Sequence, residues 1–305
     1  MKLQKLVHDY TSSFDFKQLR DETKAQYKYF LNVLLTTQAE GQSLCHYECD
    51  KITTRMAKTA YNEWCERGIH LANHTISVTR IVFNHGVREE LCQTNPFAIV
   101  RKRAVEKRKV VWGRDDVQTF LNVAYSDFRW RNIGLIAQMA YEWCQRLGDM
   151  RMLTWDSVNL VDQTVHIEQS KRRAEVFLPI SDELYTMLVQ QNEDFGFQEY
   201  VAPRPNPIRG VYQPYSLTKL PLHAREIMDE AGLPKELRLS DLRRTGTTEM
   251  VEAGVGIGQI MSVTGHANAQ SVTPYLKNTL TSADYALTQR KNHGTSTASA
   301  AKESD

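Results

Sequence analysis

The stretch LSDLRRTGTTEMVEAGVGIGQIMSVTGHANAQSVTPY, residues 239–275, carries two guanidiniums at Arg243 and Arg244, an imidazole at His266 and a phenol at Tyr275. It reads as a short basic turn, SDLRRTG, then a helical run, then a polar segment ending at the tyrosine. Together these groups suit a phosphodiester. Arginines hold non-bridging oxygens, a histidine donates to them, and a tyrosine can attack phosphorus. Taken singly each has a plainer reading: His266 beside Gly265 also suits a helix terminus, and Arg244 is expected to face away from Arg243 as a phosphate or surface residue.

Attack on phosphorus builds negative charge that needs fixed cations, and the candidates lie upstream. In EWCQRLGDMRMLTWDSVNL, residues 142–160, Arg146 precedes a short apolar face of Leu147, Met150 and Leu153; it could equally pair with Asp149 on its own turn. Residues 164–169 and 175–179 alternate, with Val165, Ile167, Val176 and Leu178 on one face, which predicts a two-stranded hairpin. Its tip presents Lys171, Arg172 and Arg173, either to a DNA groove or simply to solvent. A lysine placed there could protonate a leaving 5′ oxygen.

The chain has 305 residues, enough for about two domains. Its start lacks a sustained apolar stretch and nothing later resembles a span, so a cytoplasmic protein without a membrane partner is expected. Five cysteines, an odd number, argue for reduced thiols. Cys45, His46 and Cys49 lack a second ligand pair at finger spacing, so no metal is expected.

The net charge of +2 is too small to point to a partner, but residues 101–109, RKRAVEKRK, hold six basic residues against one acidic. Arg101, Lys102, Arg103, Lys107, Arg108 and Lys109 suit a linker crossing a phosphate backbone, or one that is merely solvated. Before it, helices are expected over 24–37, from Thr53 or Thr54 to Gly68, and from Asn73 to Leu91, while the first ten to fifteen residues show no clear period. Thr75, Thr79 and Arg80 on the third of these either contact phosphates or form an ordinary polar face. After the linker, helices are expected from Gly113 and over 130–144, a surface loop over 195–213, and a helix over 220–230. A short helix around Ala283–Arg290 and a disordered tail follow.

The ordered boxes resemble the tyrosine recombinase, or phage integrase, family. Arg146 lies nine residues before Trp155, Lys171 eight before Pro179, and Tyr275 nine after His266; Arg243 and Gly265-His266 fill the boxes between. Five boxes in order are far more specific than any one. The resemblance spans about residues 14–290, and the pattern departs from the family at Ser240, where the second box usually begins with histidine.

The resemblance implies a mainly α fold with a small β-sheet: a helical core-binding domain over 1–100, a basic linker over 101–109, a mixed α/β catalytic domain over 110–292, and a tail over 293–305. It also implies a site-specific recombinase acting without metal or cofactor. Tyr275 would form a 3′-phosphotyrosyl bond while Lys171 protonates the 5′ oxygen and Arg146, Arg243 and His266 stabilise the transition state. Double-stranded DNA, a homo-tetramer passing through a Holliday junction, a monomer or weak oligomer when free, and accessory DNA-bending proteins are the partners implied. Ala283, Tyr285 and Leu287 would contact a neighbouring subunit, with Tyr285 a rival nucleophile. Two alternatives remain: a recombinase-like DNA-binding protein impaired at Ser240, and a helical interaction protein whose basic linker is incidental.

Overall fold

The computed structural model describes residues 1–171 and 173–275, with residues 284, 287, 288, 290 and 291 beyond them. The chain divides into two compact units, Met1–Arg108 and Lys109–Asp305, and the division falls inside the basic run.

The first unit comprises α1 (Leu3–Ser12), α2 (Phe14–Lys17), α3 (Asp21–Thr36), a two-stranded ribbon of β1 (Gln38–Ala39) and β2 (Gln42–Ser43), α4 (Thr54–Arg67) and α5 (Ile69–Arg88). Helix α1 occupies residues expected to lack a period. Leu3, Leu6, Val7 and Tyr10 are all buried, a complete helical repeat hidden by its shortness and by the absence of a side-chain cap at Lys2. Helix α3 starts at Asp21, earlier than expected, with Asp21 and Glu22 favouring its positive end. Thr53 caps α4 by accepting from the Met56 amide.

The core of this unit is aromatic. Trp64 stacks on Phe97 at 6.3 Å between centroids, Phe83 lies 5.3 Å from Phe97, and the Trp64 indole donates to Thr37 Oγ1 at 2.7 Å. With the N–H satisfied, a fully buried tryptophan carries no polar penalty.

Near the start of the second unit lies Trp112, whose amide donates to Thr245 Oγ1 at 3.0 Å and whose indole donates to the Arg238 carbonyl at 3.1 Å. Then come α6 (Arg114–Ser126), α7 (Phe128–Glu142), α8 (Leu147–Met150), β3 (Val158–Asn159), β4 (Thr164–Glu168), β5 (Glu175–Pro179), α9 (Asp182–Phe195), α10 (Leu220–Glu230), α11 (Leu242–Glu252) and α12 (Ile257–Thr264). The sheet is antiparallel in the order β3-β4-β5, so a short third strand joins the expected hairpin. Register pairs Val165 with Leu178 and Ile167 with Val176, placing all four in the core. On the outer face His166 stacks on Phe177, 4.2 Å apart.

Two further stretches differ from expectation. Helix α9 was not anticipated, although Ser181 caps it by accepting from Leu184 N, and Leu184, Leu188, Gln191 and Phe195 form its buried stripe. The loop after it is not wholly at the surface. Val201 and Ala202 are buried, with carbonyls of Val201 and Pro203 held by Gln191 and Asn132. Among the described residues the fold is mainly helical with a small sheet, and no helix is long and apolar enough to cross a membrane. All five cysteines are free thiols.

Candidate active site

The segment SDLRRTG is not a turn. A single 3-10 turn, Leu239–Asp241, leads into α11, so Arg243 and Arg244 lie in the first helical turn. Gly246 allows α11 to lie against the end of α7: a Cβ there would fall 2.4 Å from the Tyr141 carbonyl oxygen. The second arm of the site is the C-terminus of α12. Gly265 ends that helix in the left-handed region (φ +67) and turns the chain so that His266 faces Arg243.

Arg243 Nη2 donates to the Thr264 carbonyl at 2.9 Å and lies 3.2 Å from His266 Nε2. Thr264 Oγ1 donates to the Ile260 carbonyl at 2.7 Å and lies 2.7 Å from His266 Nδ1. Because the threonine proton is committed to Ile260, the network assigns the imidazole proton to Nδ1, which donates to Thr264. Nε2 then presents a lone pair to Arg243.

Arg243 is electrostatically costly. Burial, and then the neighbouring Arg146 charge, push its guanidinium down from its ordinary range to about 10. Among the described residues its buried Nη1 has no hydrogen-bond partner. A buried guanidinium next to a second cation favours an anion.

Arg146 sits at the N-cap of α8 and donates from Nη1 to Gln169 Oε1 at 2.8 Å. Its approach to Asp149 is looser, 3.7 Å to Oδ2, so pairing on its own turn is not its main contact. Asp149 instead accepts from the amide of Ser170, at 3.2 Å, and from its hydroxyl. That carboxylate ties the turn carrying Arg146 to the foot of the β4–β5 loop, where Lys171 and Arg173 are exposed. Arg172 lies outside the described residues.

Tyr275 closes the 3-10 turn Thr273–Tyr275, anchored by its amide to the Val272 carbonyl at 2.9 Å; Val272 is fully buried. Its ring centroid lies 6.1 Å from that of His266. Arg244 does not face away as expected: its guanidinium lies over the Tyr275 ring, 5.0 Å from the centroid. Ser240 is exposed on the 3-10 turn that precedes α11. Ala283 and Tyr285 lie outside the described residues, and Leu287 is exposed.

In the first unit, Thr75 and Thr79 are fully buried in α5, which corrects their candidacy as phosphate contacts. Thr79 Oγ1 donates to the Thr75 carbonyl at 2.8 Å, the local bond that lets a threonine enter a core. Arg80 is likewise turned inward, donating to the carbonyls of Phe97, at 2.9 Å, and Val100. Arg101, Lys102, Arg103, Lys107 and Lys109 are exposed, and Arg108 is half-buried. The Arg103 amide donates to the Tyr61 hydroxyl at 2.6 Å and Lys102 Nζ to Ser77 Oγ, so the start of the basic run is docked on α4 and α5. Arg101 and Arg103 share a shallow pocket with Lys58, Tyr61 and Asn62.

Three residues of the site went unremarked in the sequence: Gln169, Gln145 and Thr264. Gln169 had a signal, since it continues the inward register of Val165 and Ile167, and a fully buried amide on such a face needs partners.

A helical unit and a mixed α/β unit, the second gathering two arginines, a histidine and a tyrosine, define a tyrosine-recombinase-type fold. Residues 113–281 match the profile of the phage integrase family, and the chain belongs to that family. No curated protein sequence matches the chain. Among solved structures it is similar to a lambda integrase dimer bound to a COC' core site, with 18% identity and a TM-score of 0.73 over 91% of this chain and 78% of that one. A lambda integrase tetramer bound to a Holliday junction gives the same values. The Tn1549 transposon integrase in complex with a circular intermediate DNA is 15% identical, with a TM-score of 0.76 over 95% of this chain and 99% of that one.

Proposed function

We propose that the protein is a site-specific DNA recombinase that cuts and rejoins strands through a 3′-phosphotyrosyl intermediate. The observation that carries this reading is the meeting of Arg146, Arg243 and His266 beside the Tyr275 ring, with one buried Arg243 donor unpaired among the described residues. The scissile phosphate occupies that cradle. Its non-bridging oxygens accept from Arg146 and Arg243, relieving the cost of two neighbouring cations.

The Tyr275 oxygen attacks phosphorus as its proton passes to His266 Nε2, the P–O5′ bond breaks, and Lys171 donates a proton to the departing 5′ oxygen. With Nδ1 bound to Thr264, Nε2 is the histidine nitrogen that exchanges a proton within the site. The 5′ hydroxyl of a partner strand then attacks the phosphotyrosine and the proton returns, so each phosphodiester broken is replaced by one formed. Duplex DNA is the substrate, and two rounds of exchange proceed through a Holliday junction in a homo-tetramer that is a monomer or weak oligomer when free. Residues 1–100 act as the core-binding domain, the run 101–109 follows the phosphate backbone, and DNA-bending proteins assist.

A second reading rests on Ser240, whose hydroxyl cannot take the proton role of the usual histidine: a DNA-binding protein of impaired activity. A nicked suicide duplex separates the two. The recombinase traps a covalent adduct with wild type and none with Tyr275→Phe, whereas salt-dependent binding without any wild-type adduct establishes the second reading.

A further inference from the structure

Gln169 is fully buried at the end of β4, and each polar atom of its side chain is engaged. Oε1 accepts from Arg146 Nη1 at 2.8 Å, while Nε2 donates to the Thr264 carbonyl at 2.8 Å and to Gln145 Oε1 at 2.6 Å. The Thr264 carbonyl also takes the Arg243 bond, and the same residue's hydroxyl holds His266. One planar amide therefore joins the Arg146 turn to the corner that carries Arg243 and His266.

Gln145, the other partner, is itself fixed: its Nε2 donates to the carbonyls of Trp143 and Val263, at 2.8 and 2.7 Å. That leaves Gln145 Oε1 as acceptor and sets which way the Gln169 amide faces. The fit is close enough to constrain Gly265, where a Cβ would fall 2.5 Å from Gln169 Nε2. The backbone of Gln169 adds a third tie, exchanging bonds with Ala174 and Arg173 across the loop that carries Lys171.

We propose that Gln169 is a positioning residue: it sets the separation between Arg146 and the Thr264–His266 corner, so that both halves of the cradle close on one phosphate. This rests on the reading of that cradle as the scissile-phosphate site. Gln169 does not touch the phosphate; it acts through the groups that do, and a misplacement of about 1 Å costs on the order of a hundredfold in rate.

The test is single-turnover cleavage of a nicked suicide duplex by the full chain at saturating protein. Gln169→Met keeps the volume and loses all three side-chain bonds. Gln169→Glu keeps an acceptor for Arg146 but sets a carboxylate oxygen against Gln145 Oε1 and the Thr264 carbonyl. Both variants should bind intact duplex within about twofold of wild type and cleave with a rate constant lower by about tenfold to a hundredfold. Loss of folded molecules would instead lower the amplitude and leave the rate constant alone.

A folded Gln169→Met with a wild-type rate constant, alongside a Tyr275→Phe that forms no adduct, overturns the positioning role and leaves the functional reading intact. An adduct formed equally by Tyr275→Phe overturns both. Should Gln169→Met not fold, Gln169→Glu carries the same comparison, and unfolding of both makes Gln169 a folding residue and overturns the proposal.

Discussion

The guanidinium of Arg244 lies over the Tyr275 ring at 5.0 Å from its centroid, on the same helical turn as Arg243, which bonds to the His266 corner. Two consecutive arginines thus serve the two sides of one site: Arg243 faces the cradle and Arg244 holds the tyrosine ring. A cation over an aromatic face contributes about 0.5–1 kcal/mol at an accessible position. Arg244→Ala is therefore expected to slow adduct formation by about twofold to fivefold and leave the salt slope of duplex binding unchanged. A slope reduced by about one would show that Arg244 contacts a DNA phosphate instead.

Arg243 gives a prediction in which stability and function oppose each other. Its charged form is disfavoured in the folded state, where burial brings its pKa down to about 10. The folded protein then binds fewer protons than the unfolded chain above that pH, so this penalty applies at neutral pH and fades as pH rises through about 10. Arg243→Met should match or exceed the wild-type melting temperature at pH 7, with the difference narrowing only as pH rises past about 10. Inorganic phosphate should raise the melting temperature of wild type and not of the variant, since only wild type offers the unpaired donor. A phosphate response that survives the substitution would place the anion elsewhere.

Glu142, at the end of α7, tests the electrostatics away from the chemistry. Its carboxyl is raised by burial, partly offset by bonds from Ser181 Oγ and Gln138 Nε2. An acid whose folded pKa is raised contributes stability that is present below the ordinary carboxylate range and lost as pH rises through the folded value. Glu142→Gln should accordingly raise the melting temperature at pH 7 and give no advantage near pH 4, as a pair of thermal melts would reveal.

The exposed part of the basic run should carry the salt dependence. Arg101→Ala and Lys107→Ala are each expected to reduce the salt slope of duplex binding by about one. Thr79→Val, at a buried position, should leave the slope unchanged. Equal slopes in all three variants would remove the run from the DNA interface.

What the sequence made legible was local. Gly265-His266 and the run to Tyr275 are set by a helix end and two 3-10 turns, so their spacing reads directly along the chain. The alternation in β4 and β5 likewise fixed the hairpin, because one buried face dictates register.

What escaped was whatever depends on direction or on contact across elements. Arg244 was expected to face away from Arg243, whereas a helix separates neighbours by only about 100° and keeps both near the Tyr275 and His266 rings. Thr75 and Thr79 looked like a polar face because a threonine's bond to its own helix is invisible in composition. Gln169 bridges residues 146 and 264, a relationship that exists only once β4 and α12 are packed.

The most direct test of the account is the identity of the atom bound to DNA. Wild-type protein trapped on a nicked suicide duplex and digested should yield one peptide carrying a 3′-phosphonucleotide on Tyr275. A nucleotide on Tyr285, or no covalent peptide from protein that binds the same duplex, would contradict it.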